Sequence, residues 1–117
     1  MRKRVFVAMA AAVVVGIVAV TIMLHVAQAR VQAKGLAVQV RVDNFTFDPV
    51  ELTVPVNSTV AWVNKDDVPH VIASDTGIFK SRALDTDEGY SYTFTKPGTY
   101  LYHCSMHPKM VAKVVVQ

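Results

Sequence analysis

Cysteine is scarce in this chain of 117 residues, which carries a single one, Cys104. One thiol cannot form an internal disulfide, so the disulfide framework that many small secreted domains rely on is excluded. A lone cysteine still has three alternatives: an inert buried thiol, an intermolecular disulfide, or a thiolate held by a metal ion. The residues around Cys104 decide between them.

Charge is also sparse, since only 18% of the residues are Asp, Glu, Lys or Arg. The formal net charge of +3 comes from Arg2, Lys3 and Arg4, because acidic and basic residues are equal in number after that point. No basic patch with interleaved aromatic residues is present in the sequence. The charge pattern therefore gives no reason to expect a nucleic acid partner.

The first 29 residues are typical of an export segment. Their basic start is followed by an apolar run from Val5 to Leu24, and Ala27-Gln28-Ala29 offers the small-x-small pattern that a signal peptidase accepts. The run is longer than the ~7–15 residues of a usual signal core and close to the ~20 that span a bilayer. Residues 1–29 are thus predicted to be a signal peptide or, through residues 5–24, an uncleaved membrane anchor. Either alternative places residues 30–117, one domain, in the periplasm or otherwise outside the cytoplasm.

A sustained helical period is absent after Arg30, and short β-type segments take its place. They are rich in Val, Thr and aromatic residues, and turn residues such as Pro97-Gly98 separate them. The predicted strands are Val38–Val42, Glu51–Val54, Thr59–Asn64, Tyr90–Phe94, Thr99–Cys104 and Ala112–Val116. Six or seven such strands predict an all-β fold, a Greek-key β-sandwich.

Three different metal-binding side chains lie close together near the C-terminus, because Cys104, His107 and Met110 have the spacing C-x2-H-x2-M. His70 can supply a further imidazole. Sulfur donors select copper among the first-row metals, and two His, one Cys and a weak axial Met form the donor set of electron-transfer copper sites. We therefore predict that His70, Cys104, His107 and Met110 bind one copper ion per chain. Zinc binds the same nitrogen and sulfur donors and is the weaker alternative.

The neighbours of these residues narrow the ligand set. A strand period of two places Cys104 on the inward face of its strand and His103 on the opposite face, so His103 is excluded from the ligands. Pro69 and Pro108 stand directly beside the two proposed imidazole ligands and restrict the backbone there. This pattern indicates a rigid site.

A complete and rigid donor set favours a carrier of single electrons, which cycles between Cu(I) and Cu(II) and exchanges electrons with extracytoplasmic redox proteins. The alternative is a module for periplasmic copper delivery or sequestration, a class of protein that usually exposes several Met and His side chains. Met106 is the one spare candidate of that kind near the site. An enzyme is not expected, because copper oxidases need further histidine clusters. A monomer is the expected state for a carrier of this size.

From about Val38 to Val116 the sequence resembles the cupredoxin family, and within it the amicyanin-like proteins of the plastocyanin/azurin type. The resemblance rests on Val60-Ala61-Trp62-Val63-Asn64, on Val68-Pro69-His70 and on the run from Pro97 to Met110. It implies a type 1 blue copper site at His70, Cys104 and His107 with Met110 as the axial ligand. It also implies that redox partners dock near an exposed His107, and that Asn64 ties the two ligand loops by hydrogen bonding near Ser105.

Three positions depart from the amicyanin-like pattern. Met106 and Lys109 stand where those proteins have Pro and Phe, and Val71 stands where they have Asn. The first two flank His107 and change the expected docking face. The third changes the surroundings of Cys104, which tune a metal site.

The export prediction is tested by the mass of the native protein. We expect cleavage after Ala29, so that intact-mass spectrometry of protein purified from its own cells finds Arg30 as the first residue. An intact Met1 in a membrane fraction would instead identify an uncleaved anchor.

Overall fold

The computed structural model describes residues 35–117, so the predicted export segment, residues 1–29, lies outside the described residues. Eight strands make up the described part. They are β1 (Ala37–Asp43), β2 (Thr46–Asp48), β3 (Glu51–Val54), β4 (Ser58–Asn64), β5 (Ile72–Ser74), β6 (Gly89–Phe94), β7 (Gly98–Cys104) and β8 (His107–Val116). Within residues 35–117 there is no helix that is long and apolar enough to cross a membrane.

The strands form two four-stranded sheets, in the orders β2-β1-β4-β6 and β3-β8-β7-β5. Strands β1 and β4 pair in parallel, as do β3 and β8, and the remaining pairs are antiparallel. Neighbours in the sheets are mostly distant in sequence, as expected when the chain passes between the two sheets of a sandwich. The all-β prediction is confirmed.

All six predicted strands are present, and the structure adds two that the sequence did not indicate. Strand β2 has three residues with only Phe47 buried, and β5 has three residues that are all buried. Segments this short give no alternation that could be recognised. The last strand also begins at His107, before the predicted Ala112, because it continues the pairing with β7 up to Cys104.

The parallel pairing of β1 with β4 sets the position of the candidate site. Val42 lies opposite Asn64 in this parallel pair, so the C-terminal ends of β1 and β4 lie at the same end of the sheet. The turn that follows β1, at Asn44 and Phe45, is therefore next to the loop that follows β4 and leads to His70. This places chain segments that are far apart in sequence at one end of the sandwich.

Aromatic side chains fill the centre of the core. Trp62 and Tyr102 are almost completely buried, as the alternation of their strands predicts. The sequence did not indicate Phe79, which lies between strands and is only 4% exposed. Its ring centroid lies 5.5 Å from that of Trp62 and 4.9 Å from that of Tyr92. A loop residue thus completes the packing between the two sheets.

This packing predicts that alanine substitutions at two adjacent residues lower the free energy of unfolding by different amounts. Phe79→Ala should lower the free energy of unfolding by about 3–5 kcal/mol, because it leaves a cavity beside Trp62. Ile78→Ala is the matched control, since Ile78 is 48% exposed and should change stability by no more than about 0.5 kcal/mol. Chemical denaturation of both variants measures the difference. An equal loss of unfolding free energy in the two variants would contradict the role of Phe79 in the core.

Candidate metal centre

Cys104 ends β7 and points into the sandwich, where its side chain is completely buried. A register shift between His103 and Cys104 interrupts the regular pairing of β7 with β8 at this point. The backbone N–H of Val71 lies 3.4 Å from Sγ and donates a hydrogen bond to it. This hydrogen bond ties the residue after His70 to the side chain of Cys104.

His70 approaches the thiol from the loop that follows β4. Its backbone exchanges two hydrogen bonds with Leu84, of 3.1 and 2.8 Å, which fix the loop against a second segment. The side chain is completely buried, and Nδ1 lies 3.5 Å from Sγ of Cys104. The backbone thus holds this imidazole with a ring nitrogen directed at the sulfur.

His107 begins β8 and lies opposite Cys104 across a turn of two residues. Its Nδ1 is 3.6 Å from Sγ, and the side chain is half-buried. The ring centroids of His70 and His107 are 5.0 Å apart. One donor atom from each of His70, Cys104 and His107 lies within 4.8 Å of the others. The structure therefore brings together three of the four predicted ligands.

Met110, the fourth predicted ligand, lies three residues further along β8. It is 6% exposed and belongs to the hydrophobic core. With Phe45 and His107 it lines a surface depression of about 430 Å³. Its position is thus at the same end of the sandwich as the three converging donors.

Asp66 is a buried carboxylate that the sequence analysis did not single out. Its Oδ2 lies 2.7 Å from Nε2 of His70, and its two oxygens accept hydrogen bonds from the backbone N–H groups of Asn44 and Phe45. Burial alone would raise the pKa of this carboxyl, but the hydrogen bonds from Phe45, His70 and Asn44 outweigh it and lower the pKa. The group is therefore an anion at neutral pH, and its Oδ2 accepts a hydrogen bond from Nε2–H of His70.

This contact determines which nitrogen carries the proton in the neutral form of His70. A neutral imidazole carries one proton, and a carboxylate accepts but does not donate hydrogen bonds. With its proton on Nε2, His70 presents a lone pair on Nδ1, the nitrogen that faces Sγ of Cys104. A carboxylate that orients a histidine in this way is a common partner of metal ligands.

Asn64 holds the same loop, but not through the contact that the resemblance implied. Its Nδ2 donates to the carbonyl groups of Val68 and Leu84, at 2.9 and 2.8 Å, and its Oδ1 accepts from the N–H of Asp66. The implied bond near Ser105 is replaced by one from the backbone N–H of Ser105 to the carbonyl of Val71. Asn64 therefore ties the His70 loop to the Leu84 segment.

Two further sequence expectations can be compared with the geometry. His103 lies on the outer face of β7, where its Nδ1 is 2.6 Å from Oδ1 of Asp75, and it does not belong to the converging group. Met106 is 50% exposed beside His107. His103 and Cys104 thus lie on opposite faces of β7, as the strand period predicts.

The donor set fits copper. One sulfur and two imidazole nitrogens converge, and the orientation of His70 leaves its inner nitrogen available. Copper and zinc both accept such donors, and a nearby thioether favours copper, which accepts softer ligands.

Comparisons with known proteins agree with this fit. Residues 16–116 match the sequence model of a family described as the cupredoxin-like domain. Amicyanin from Paracoccus denitrificans is 38% identical over an alignment 86 residues long. The match covers 69% of this chain and 66% of that protein, slightly less than two thirds of its length.

Solved structures give the same result for the fold. The chain is similar to a purple cupredoxin from Nitrosopumilus maritimus, with a TM-score of 0.64 and 34% identity over 68% of this chain and 99% of that one. It is also similar to part of a copper-containing nitrite reductase from Thermus scotoductus, with a TM-score of 0.66 and 34% identity over 70% of this chain and 22% of that one. The cupredoxin resemblance and the β-sandwich are thus confirmed.

The contacts of the two histidines predict opposite tautomers in the metal-free protein. His70 meets its carboxylate through Nε2 and should carry its proton there, whereas His103 meets Asp75 through Nδ1 and should favour the Nδ1–H form. Nitrogen-15 NMR of the imidazoles, recorded above the usual His pKa of about 6.5, distinguishes the two forms. An Nδ1–H form of His70 would contradict the orientation described here.

Proposed function

This chain belongs to the cupredoxin-like family of blue copper electron-transfer proteins, and on that premise we propose that it carries single electrons between extracytoplasmic redox proteins. When bound, copper supplies a one-electron couple between Cu(I) and Cu(II). The observation that carries the proposal is the convergence of one sulfur and two imidazole nitrogens at the end of a rigid sandwich.

We assign the ligand roles as follows. Cys104 provides the sulfur ligand, which accepts a hydrogen bond from the N–H of Val71. His70 and His107 provide Nδ1, the ring nitrogen that faces the thiol in both cases. Met110 provides the weak axial thioether, a role supported by its buried position at the same end of the domain. The assignment gives one copper ion per chain.

The surrounding protein keeps this geometry from changing between oxidation states. His70 is held through its backbone by Leu84 and through its ring by Asp66. Cys104 and His107 are held by the pairing of β7 with β8. Because these contacts do not involve the metal, the donors keep their positions when the charge of the site changes. A small rearrangement is what a fast electron carrier requires.

We propose that redox partners dock on the surface around His107. This residue is half-buried, whereas His70 and Cys104 are fully buried, so the approach to the site from solvent is on the His107 side. Phe45 and Met106, which are 47% and 50% exposed, provide an apolar contact surface there. Lys109 adds an exposed positive charge, which favours partners with an acidic rim.

Burial of the donors argues against copper delivery or sequestration as the main function. A delivery site must release its ion to an acceptor, and two of the three converging residues have no solvent exposure. Catalysis is not part of the proposal either. The similar nitrite reductase is an enzyme, but the match covers only 22% of that chain.

The expected location follows from the sequence. We propose that residues 1–29 direct export, as a signal peptide or as an anchor through residues 5–24, and that residues 30–117 act in the periplasm or otherwise outside the cytoplasm. A monomer is expected, because a small carrier must leave one partner to reach the next.

Copper titration of the purified metal-free protein tests the proposal. We expect one equivalent of Cu(II) to produce an intense copper–thiolate absorption band that bleaches on reduction, returns on oxidation and gives a reversible one-electron wave. Cys104→Ala should lack the band and His103→Ala should retain it, because His103 faces away from the site.

Two results would contradict the proposal. A weak or missing band in the folded wild-type protein would exclude a copper–thiolate centre of this type. Transfer of copper to an acceptor protein faster than spontaneous release, without a reversible wave, would favour the delivery function.

A further inference from the structure

One aromatic side chain covers both proposed imidazole ligands from the solvent side. The ring of Phe45 meets that of His70 at a centroid distance of 5.5 Å and an interplanar angle of 84°. It meets the ring of His107 at 5.1 Å and 81°. Both contacts are edge-to-face arrangements, which are favourable for aromatic pairs. Phe45 is thus in contact with both rings whose orientation the site depends on.

Core packing does not account for this position. Phe45 is 47% exposed and is not part of the hydrophobic core cluster. The contact also requires an unusual backbone, since Asn44 and Phe45 have φ values of 51° and 56°. A bulky residue such as Phe rarely adopts this left-handed conformation unless its surroundings enforce it.

Asp66 provides that enforcement. Its carboxylate accepts hydrogen bonds from the N–H of Asn44 at 2.6 Å and from the N–H of Phe45 at 3.0 Å. The same carboxylate contacts Nε2 of His70 at 2.7 Å. One anion therefore fixes both the turn that carries the Phe45 ring and one of the rings that Phe45 covers.

We propose that Phe45 is a positioning residue for His70 and His107, and that Asp66 holds it in place. This inference rests on the proposed function, because it concerns the same ligand residues. His107 depends on the contact most, since it is only half-buried whereas His70 is completely buried. The ring of Phe45 restricts rotation of the His107 imidazole and limits the access of water and competing ligands to it.

The first measurement uses the full-length protein without metal. We expect carbon-13 relaxation of the His107 ring to show a restricted imidazole in the wild type and a mobile one in Phe45→Ala. Asp66→Ala should also loosen His107, because it releases the Phe45 turn. Phe45→Tyr should restore the restriction, since it keeps the aromatic edge. Ile78→Ala is the matched control, because Ile78 has the same exposure as Phe45 and lies in a different loop.

The second measurement is the rate at which copper-loaded protein loses its metal to an excess of chelator. We expect loss to be about tenfold faster in Phe45→Ala than in the wild type, and unchanged in Phe45→Tyr and Ile78→Ala. Thermal unfolding of each metal-free variant verifies that it is folded before the rates are compared.

The outcomes are distinguishable. A folded Phe45→Ala variant with wild-type His107 motion overturns the inference, whatever its rate of copper loss, and leaves Phe45 as a contact for partners only. If the wild type binds no copper, the proposed function fails, but the motion of His107 in the metal-free protein still tests the role of Phe45. A His107 ring that is mobile in both Phe45→Ala and Asp66→Ala, and restricted in Phe45→Tyr, supports the positioning role of Phe45.

Discussion

The site depends on the pairing of Cys104 with His107 across the two-residue turn between β7 and β8. This pairing brings a thiol and an imidazole together through local backbone geometry, before any contact with the rest of the chain is considered. The strand period directs Cys104 inward, where the core excludes water from the sulfur. All other parts of the site are arranged around this pair.

The remaining imidazole comes from the loop between β4 and β5, which connects the two sheets. The parallel pairing of β1 with β4 brings the end of β4, and the loop to His70, beside the turn after β1. Two buried polar side chains then hold this loop: Asn64 through three hydrogen bonds and Asp66 through its contacts with the turn and with His70. Buried polar groups are costly unless they are satisfied, so this network has few alternative arrangements. It holds the His70 loop through contacts within the protein.

Features that depend on local sequence could be predicted, whereas features that depend on tertiary contacts could not. The spacing of Cys104, His107 and Met110 and the alternation along β7 identified the ligand candidates and separated His103 from them. Strands with clear alternation were found, whereas the three-residue strands β2 and β5 were not. Phe79 lies in a loop and Phe45 in a turn, and only the fold shows that Phe79 packs on Trp62 and that Phe45 covers two histidines. Asp66 was missed for the same reason, because its partners Asn44 and Phe45 are more than 20 residues away in sequence.

The central claim is that the fold, and not the metal, positions the donors. Crystal structures of the metal-free and the copper-loaded protein, with anomalous diffraction at the copper edge, test it most directly. The account predicts one copper ion between Nδ1 of His70, Nδ1 of His107 and Sγ of Cys104, with these atoms displaced by no more than about 0.5 Å between the two structures. A copper ion bound elsewhere, or a His70 loop that rearranges on loading, would contradict it.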